Sequence, residues 1–127
     1  MIAVVVMVGC GQSEDQNEKW INRIIAVGMG ERAAGIDSAY SDYTVYRDGN
    51  NDGVCYEFIF SEDLSEDARG RFAGALKGGL VPTVRTQIAE GDQELKTAME
   101  NGVYLRFIYK TPDGRVIGDQ IISFYDL

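Results

Sequence analysis

The sequence predicts an α+β domain: a four-stranded antiparallel sheet made of two hairpins, with two helices packed on one face, in the order α-β-β-α-β-β. Three observations carry this expectation. Two long segments repeat apolar residues every three or four positions, the period of a helix that buries one stripe. Two pairs of short runs alternate apolar and polar residues, and each pair is joined by a turn rich in Gly, Asn, Asp or Pro. Neither helical stripe can be buried alone, whereas a sheet with both helices on one side buries both.

The first helix is expected from Glu14, capped by Ser13, to about Tyr40, on the stripe Ile21, Ile25, Met29, Ala33, Ile36 and Tyr40. Gly28, Gly30 and Gly35 interrupt it. Each costs about 1 kcal/mol relative to alanine, so a break is expected near Gly28 to Gly30. The first hairpin pairs Tyr43 to Arg47 with Val54 to Phe60 across Asp48-Gly-Asn-Asn-Asp-Gly53. On its second strand Val54, Tyr56, Phe58 and Phe60 share one face, and Cys55, Glu57 and Ile59 share the other.

A second helix starts near Ser65, where Glu66 and Asp67 suit the positive end of its dipole, and is expected to run to Gly102. Its stripe is Phe72, Leu76, Leu80, Val84, Ile88, Leu95 and Met99, with a kink or break expected at Pro82. Gly70, Gly74 and Gly78 leave one side bare, which implies close packing against another helix. The second hairpin pairs Val103 to Lys110 with Arg115 to Tyr125 across Thr111-Pro-Asp-Gly114. Val103, Leu105, Phe107 and Tyr109 face one way, and Tyr104, Arg106, Ile108 and Lys110 the other.

The chain's 127 residues allow one hydrophobic core, and 45% hydrophobic with 25% charged residues is a globular balance rather than a disordered one. A net charge of −8 argues against a nucleic-acid partner and would steer a basic protein partner toward the surface. There is no histidine, which removes the commonest general base and the commonest metal ligand. No cofactor and no catalytic residue is expected.

Residues 1–12 stand apart from the domain expected over 13–127. Met1 to Gly9 form an apolar run too short to span a bilayer as a helix, which needs roughly 20 residues, but of the length of a secretory signal's apolar segment. A polar run, GQSEDQNEK, follows Cys10 as a tether would. Met7-Val8-Gly9-Cys10 resembles the lipobox of bacterial lipoproteins, although Met7 stands where leucine is usual and no charged leader precedes it. That resemblance implies cleavage before Cys10, a lipid on its thiol, and a place at the cell envelope outside the cytoplasm. The competing reading takes Gly9-Cys10-Gly11 as the phosphate-binding turn of a small cofactor-dependent transferase. Glu14 falls where the third glycine of that motif belongs, and the reading requires residues 1–10 to form a central strand.

Tyr43 to Phe60 (YTVYRDGNNDGVCYEFIF), the acidic helix start at Ser61 to Asp67 and the closing VYLRFIYKTPDGRVI are similar to a family of small uncharacterised bacterial lipoproteins. The resemblance covers roughly residues 14–127. It implies a lipobox followed by helix, hairpin, helix and hairpin, and it implies no activity and no catalytic residue.

Two candidate sites follow from the residues themselves. Asp48, Asn50 and Asp52 match the first half of a calcium loop, but Ile59 occupies the twelfth position, where such loops carry glutamate. A plain turn is the stronger expectation and a weak calcium site the alternative. If both helices cover the Val54 side of the sheet, Cys55, Glu57, Ile59, Tyr104, Arg106 and Ile108 line an uncovered face whose mixed chemistry suits protein binding and is compatible with a homodimer. The expectation is a non-catalytic binding or accessory module, with immunity or inhibition of a toxin or phage factor as a specific form of it.

Overall fold

The computed structural model describes the backbone from Ile2 to Leu127 and side chains from Asn17 onward. Cys10, the lipobox and the Gly9-Cys10-Gly11 segment lie outside the described side chains. The elements are α1 (Ile2–Ala34), β1 (Tyr40–Arg47), β2 (Gly53–Phe60), α2 (Glu66–Ala89), α3 (Gln93–Glu100), β3 (Tyr104–Lys110) and β4 (Val116–Ile122), closed by a 3-10 turn at Phe124–Asp126.

The class is α+β with four strands, as expected, but the sheet is mixed rather than antiparallel. Its order is β1-β2-β3-β4, and the central pair β2/β3 is parallel, with Val54 opposite Leu105 and Phe58 opposite Tyr109. The reason lies in the connection. A helical traverse between β2 and β3 returns the chain to the end of the sheet where β2 began, and a strand entered there runs parallel to it. The two hairpins, β1/β2 and β3/β4, are antiparallel.

There are also three helices rather than two. The single helix expected from Ser65 to Gly102 divides, not at Pro82, but at Glu90-Gly91-Asp92. Pro82 sits inside α2. Gly91 adopts a φ of +113°, which glycine tolerates and other residues rarely do, and Asp92 caps α3 by accepting from the Leu95 amide at 3.0 Å. Ser65 caps α2 as expected, its hydroxyl accepting from the Ala68 amide at 3.2 Å.

The first helix does not break at Gly28. A Cβ on Gly28 would lie 2.8 Å from Val45 Cγ2. Glycine there lets α1 approach β1 closely, and Tyr43 adds a hydrogen bond from its hydroxyl to the Gly28 carbonyl at 2.9 Å. Packing outweighs the propensity cost of about 1 kcal/mol. Helix α1 ends at Ala34, before Gly35 at φ +148°, so Tyr40 opens β1 instead of closing the helix. At the far end, the strand expected to reach Tyr125 stops at Ile122. Among the described residues the bare side of α2 meets no helix: a Cβ at Gly70, Gly74 or Gly78 would have nothing within 4 Å.

All three helices pack on one face of the sheet. Ile21 of α1, Val84 of α2, and Leu95, Ala98 and Met99 of α3 form one buried cluster with Val45, Val54, Leu105 and Ile122 from the four strands. Beside this aliphatic centre lies an aromatic sector, with Phe58 stacked on Tyr109 at 4.9 Å between ring centroids and Phe72 of α2 edge-on to Tyr109 at 4.9 Å. The opposite face of the sheet carries no helix among the described residues.

Candidate binding face

The strand alternation that aims Val54, Tyr56 and Phe58 at the helices aims Cys55, Glu57 and Ile59 at the open face. The β2/β3 register sets these opposite Arg106, Ile108 and Lys110 in turn. The structure therefore brings Glu57, Ile59, Arg106 and Ile108 together on one surface, while Cys55, on the same side of the sheet, is fully buried. Tyr104 joins them at its end, beside the β1–β2 turn, where its hydroxyl donates to Asp48 Oδ2 at 2.5 Å.

Two hydrogen-bonded chains cross this face. Arg106 grips Asp119 of β4 with two bonds, Nε to Oδ1 at 2.8 Å and Nη2 to Oδ2 at 2.6 Å, and its remaining Nη1 reaches Asp48 Oδ1 at 3.1 Å. The planar guanidinium fork makes this geometry available to arginine and not to lysine. In the second chain the Tyr46 hydroxyl donates to Glu57 Oε2 at 2.5 Å, and Lys110 Nζ pairs with Glu57 Oε1 at 2.6 Å. All four strands are thereby tied together across the face by side chains as well as by the backbone ladder. Two cations meet three carboxylates, so the centre of the face is close to neutral although the chain as a whole is strongly acidic.

Titration follows from these contacts. The bonds from Arg106 hold the Asp119 carboxyl below its usual range, and those from Lys110 and Tyr46 do the same to Glu57. Burial and the bond to Asp48 push the Tyr104 phenol up to about 12. Burial likewise raises the thiol of Cys55, which is 0% exposed between its register neighbours Tyr46 and Arg106. Each of these shifts moves a group away from neutral pH, leaving fixed charges and fixed donors.

Tyr46, Asp48, Lys110 and Asp119 complete the face, and none of them is among the residues that the sequence assigns to it. Lys110 was legible from alternation along its strand. From the sequence Asp48 is a turn residue and a candidate calcium ligand, not a member of this face, because its partners Tyr104 and Arg106 lie on β3, far away in sequence. The calcium-loop carboxylates are drawn into ion pairs, Asp48 toward Arg106 and Asp52 toward Arg47 at 3.3 Å, and Asp52 also accepts a hydrogen bond from Asn17 Nδ2 at 3.1 Å. Among the described residues no group of three His, Cys, Asp or Glu side chains is placed to hold a metal ion.

On the helical side, a cleft between α1 and α3 lined by Trp20, Ile24, Tyr56, Gln87, Asp92 and Leu95 has about 40 Å³, room for water but not for a substrate-sized molecule. Trp20 Nε1 is buried beside it with no hydrogen-bond partner. No family model, no curated protein and no solved structure matches this chain. Among the described residues no helix is long and apolar enough to cross a membrane.

Proposed function

We propose that the protein is a bacterial envelope lipoprotein, anchored through a lipid on Cys10, whose α+β domain is a non-catalytic module that binds a protein partner through its open sheet face. The observation that carries the reading is the pre-paired condition of that face. Arg106, Asp119, Asp48, Glu57 and Lys110 already satisfy one another, so a partner need not strip water from lone charges to cover them. Between them stand Ile59, Ile108 and exposed Tyr46 and Ile121, the mixture of apolar, aromatic and arginine side chains from which interface centres are made. The acidic remainder of the surface favours a basic partner and speeds its approach. Support for the anchor comes from the sequence: an apolar segment, Met7-Val8-Gly9-Cys10, then a polar run.

Site-specific photo-crosslinking in the native host tests the binding face. A crosslinking residue at Thr44 or Tyr46, both on β1 and both exposed, should trap the same partner, and one at exposed Arg71 on α2 should not. Equal trapping from all three positions, or none from the open face, would overturn the assignment.

A further inference from the structure

The sheet has two edges, β1 and β4, and they differ. Both edge strands carry a register shift, β1 at Ser41 and β4 at Ile117, but on β1 Arg32 of α1 also binds Asp42 at 2.9 Å, so a charge pair blunts that edge further. Past its own shift, β4 pairs regularly from Gly118 to Ile122, and the strand VIGDQII has no lysine and no proline. Its one charge, Asp119, is drawn inward across the sheet to Arg106. An edge strand presents a row of backbone N–H and C=O groups that only another extended chain can satisfy along its length. Apolar side chains gather there as well. Of the six large hydrophobic residues exposed among the described ones, Val116 (50%), Ile121 (46%), Phe124 (40%) and Tyr125 (98%) lie on β4 or in the turn that follows it.

We propose that β4 pairs antiparallel with β4 of a second copy of this chain, joining two four-stranded sheets into one of eight strands. Like strands related by a twofold axis form a closed contact, so the assembly stops at two. The charges flanking β4 favour this partner. Arg115 precedes the strand and makes no ion pair among the described residues, whereas Asp126, after it, meets a single ammonium, Lys77, at 3.0 Å. Antiparallel pairing carries each Arg115 toward the Asp126 end of the other copy. The contact shares Ile121 with the open face but uses the backbone edge of β4 and leaves the β1 side of that face, with Thr44 and Tyr46, free. The regular edge is short and the interface small, so the equilibrium is to be looked for at micromolar and higher protein concentration.

Sedimentation velocity of the full chain in a mild detergent, across that range, should show a monomer–dimer equilibrium. Hydrogen exchange should show the β4 amides gaining protection as the dimer forms and the β1 amides unchanged. Ile121→Lys should weaken the dimer at least about tenfold, as a charge on a pairing edge does, and Tyr46→Lys should leave it intact. Val116→Lys serves as the second edge variant, with a melting curve on each protein to show that it is folded. A monomer at every concentration, a dimer whose β4 amides exchange as freely as the monomer's, or a dimer lost with Tyr46→Lys and kept with Ile121→Lys would each overturn the proposal.

Discussion

Arg106 joins three parts of the chain, spanning from the β1–β2 turn at Asp48 to β4 at Asp119. Its contribution depends on pH in a definite direction. A carboxyl held below its usual range in the folded protein contributes its stability fully above the pKa of the unfolded chain, and loses it as pH falls through the folded value. Asp119, Glu57 and Asp126 all have this sign, so stability should decline as the solution is acidified below about pH 4. Asp119→Asn should cost no more than about 1 kcal/mol at neutral pH, because the side chain is 38% exposed and water screens the pair. The gap between variant and wild type should close in acid. Urea unfolding at a series of pH values measures both, and a gap that persists unchanged into acid would refute the assignment. At this scale the sequence was a good guide wherever alternation decides direction, as it does for Glu57, Arg106 and Ile108. It was silent on the pairing of Asp48 and Asp119 with Arg106, because which carboxylate meets an arginine depends on strands brought together from distant parts of the chain.

At the scale of elements, glycine separates what could be read from what could not. Gly28 and Gly74 look alike in the sequence: each weakens a helix interior. In the fold one touches Val45 and the other touches nothing. Gly28→Ala should therefore destabilise the protein by about 1–3 kcal/mol through overpacking against β1. Gly74→Ala should stabilise α2 by up to about 1 kcal/mol. Thermal or chemical unfolding of the pair checks this, and two shifts of the same sign would show that the helix–sheet contact is misassigned. The same blindness explains the misplaced breaks. Pro82 and Gly28 are the strongest local disruptors, yet α2 and α1 run through them because packing against the sheet compensates. The actual division, at Gly91, depends on a positive φ followed by the Asp92 cap, a weaker signal in the sequence than a proline.

For the whole molecule, both hairpins and the burial of the helices on one face follow from period and turn chemistry. The parallel pairing of β2 with β3 does not, because local sequence within two hairpins says nothing about their mutual orientation. That orientation is set by the helical crossover between them. Its consequence is that the strands bearing Glu57 and Arg106 become central neighbours, and the candidate face becomes one continuous surface rather than two separated hairpin backs. A domain that binds through such a face at the envelope needs a tether on the chain and export before it can act. Intact mass of the protein purified from its native membrane tests this most directly. The account predicts a chain beginning at Cys10 and heavier by the mass of acyl chains; an unmodified chain that retains Met1 to Gly9 would contradict it.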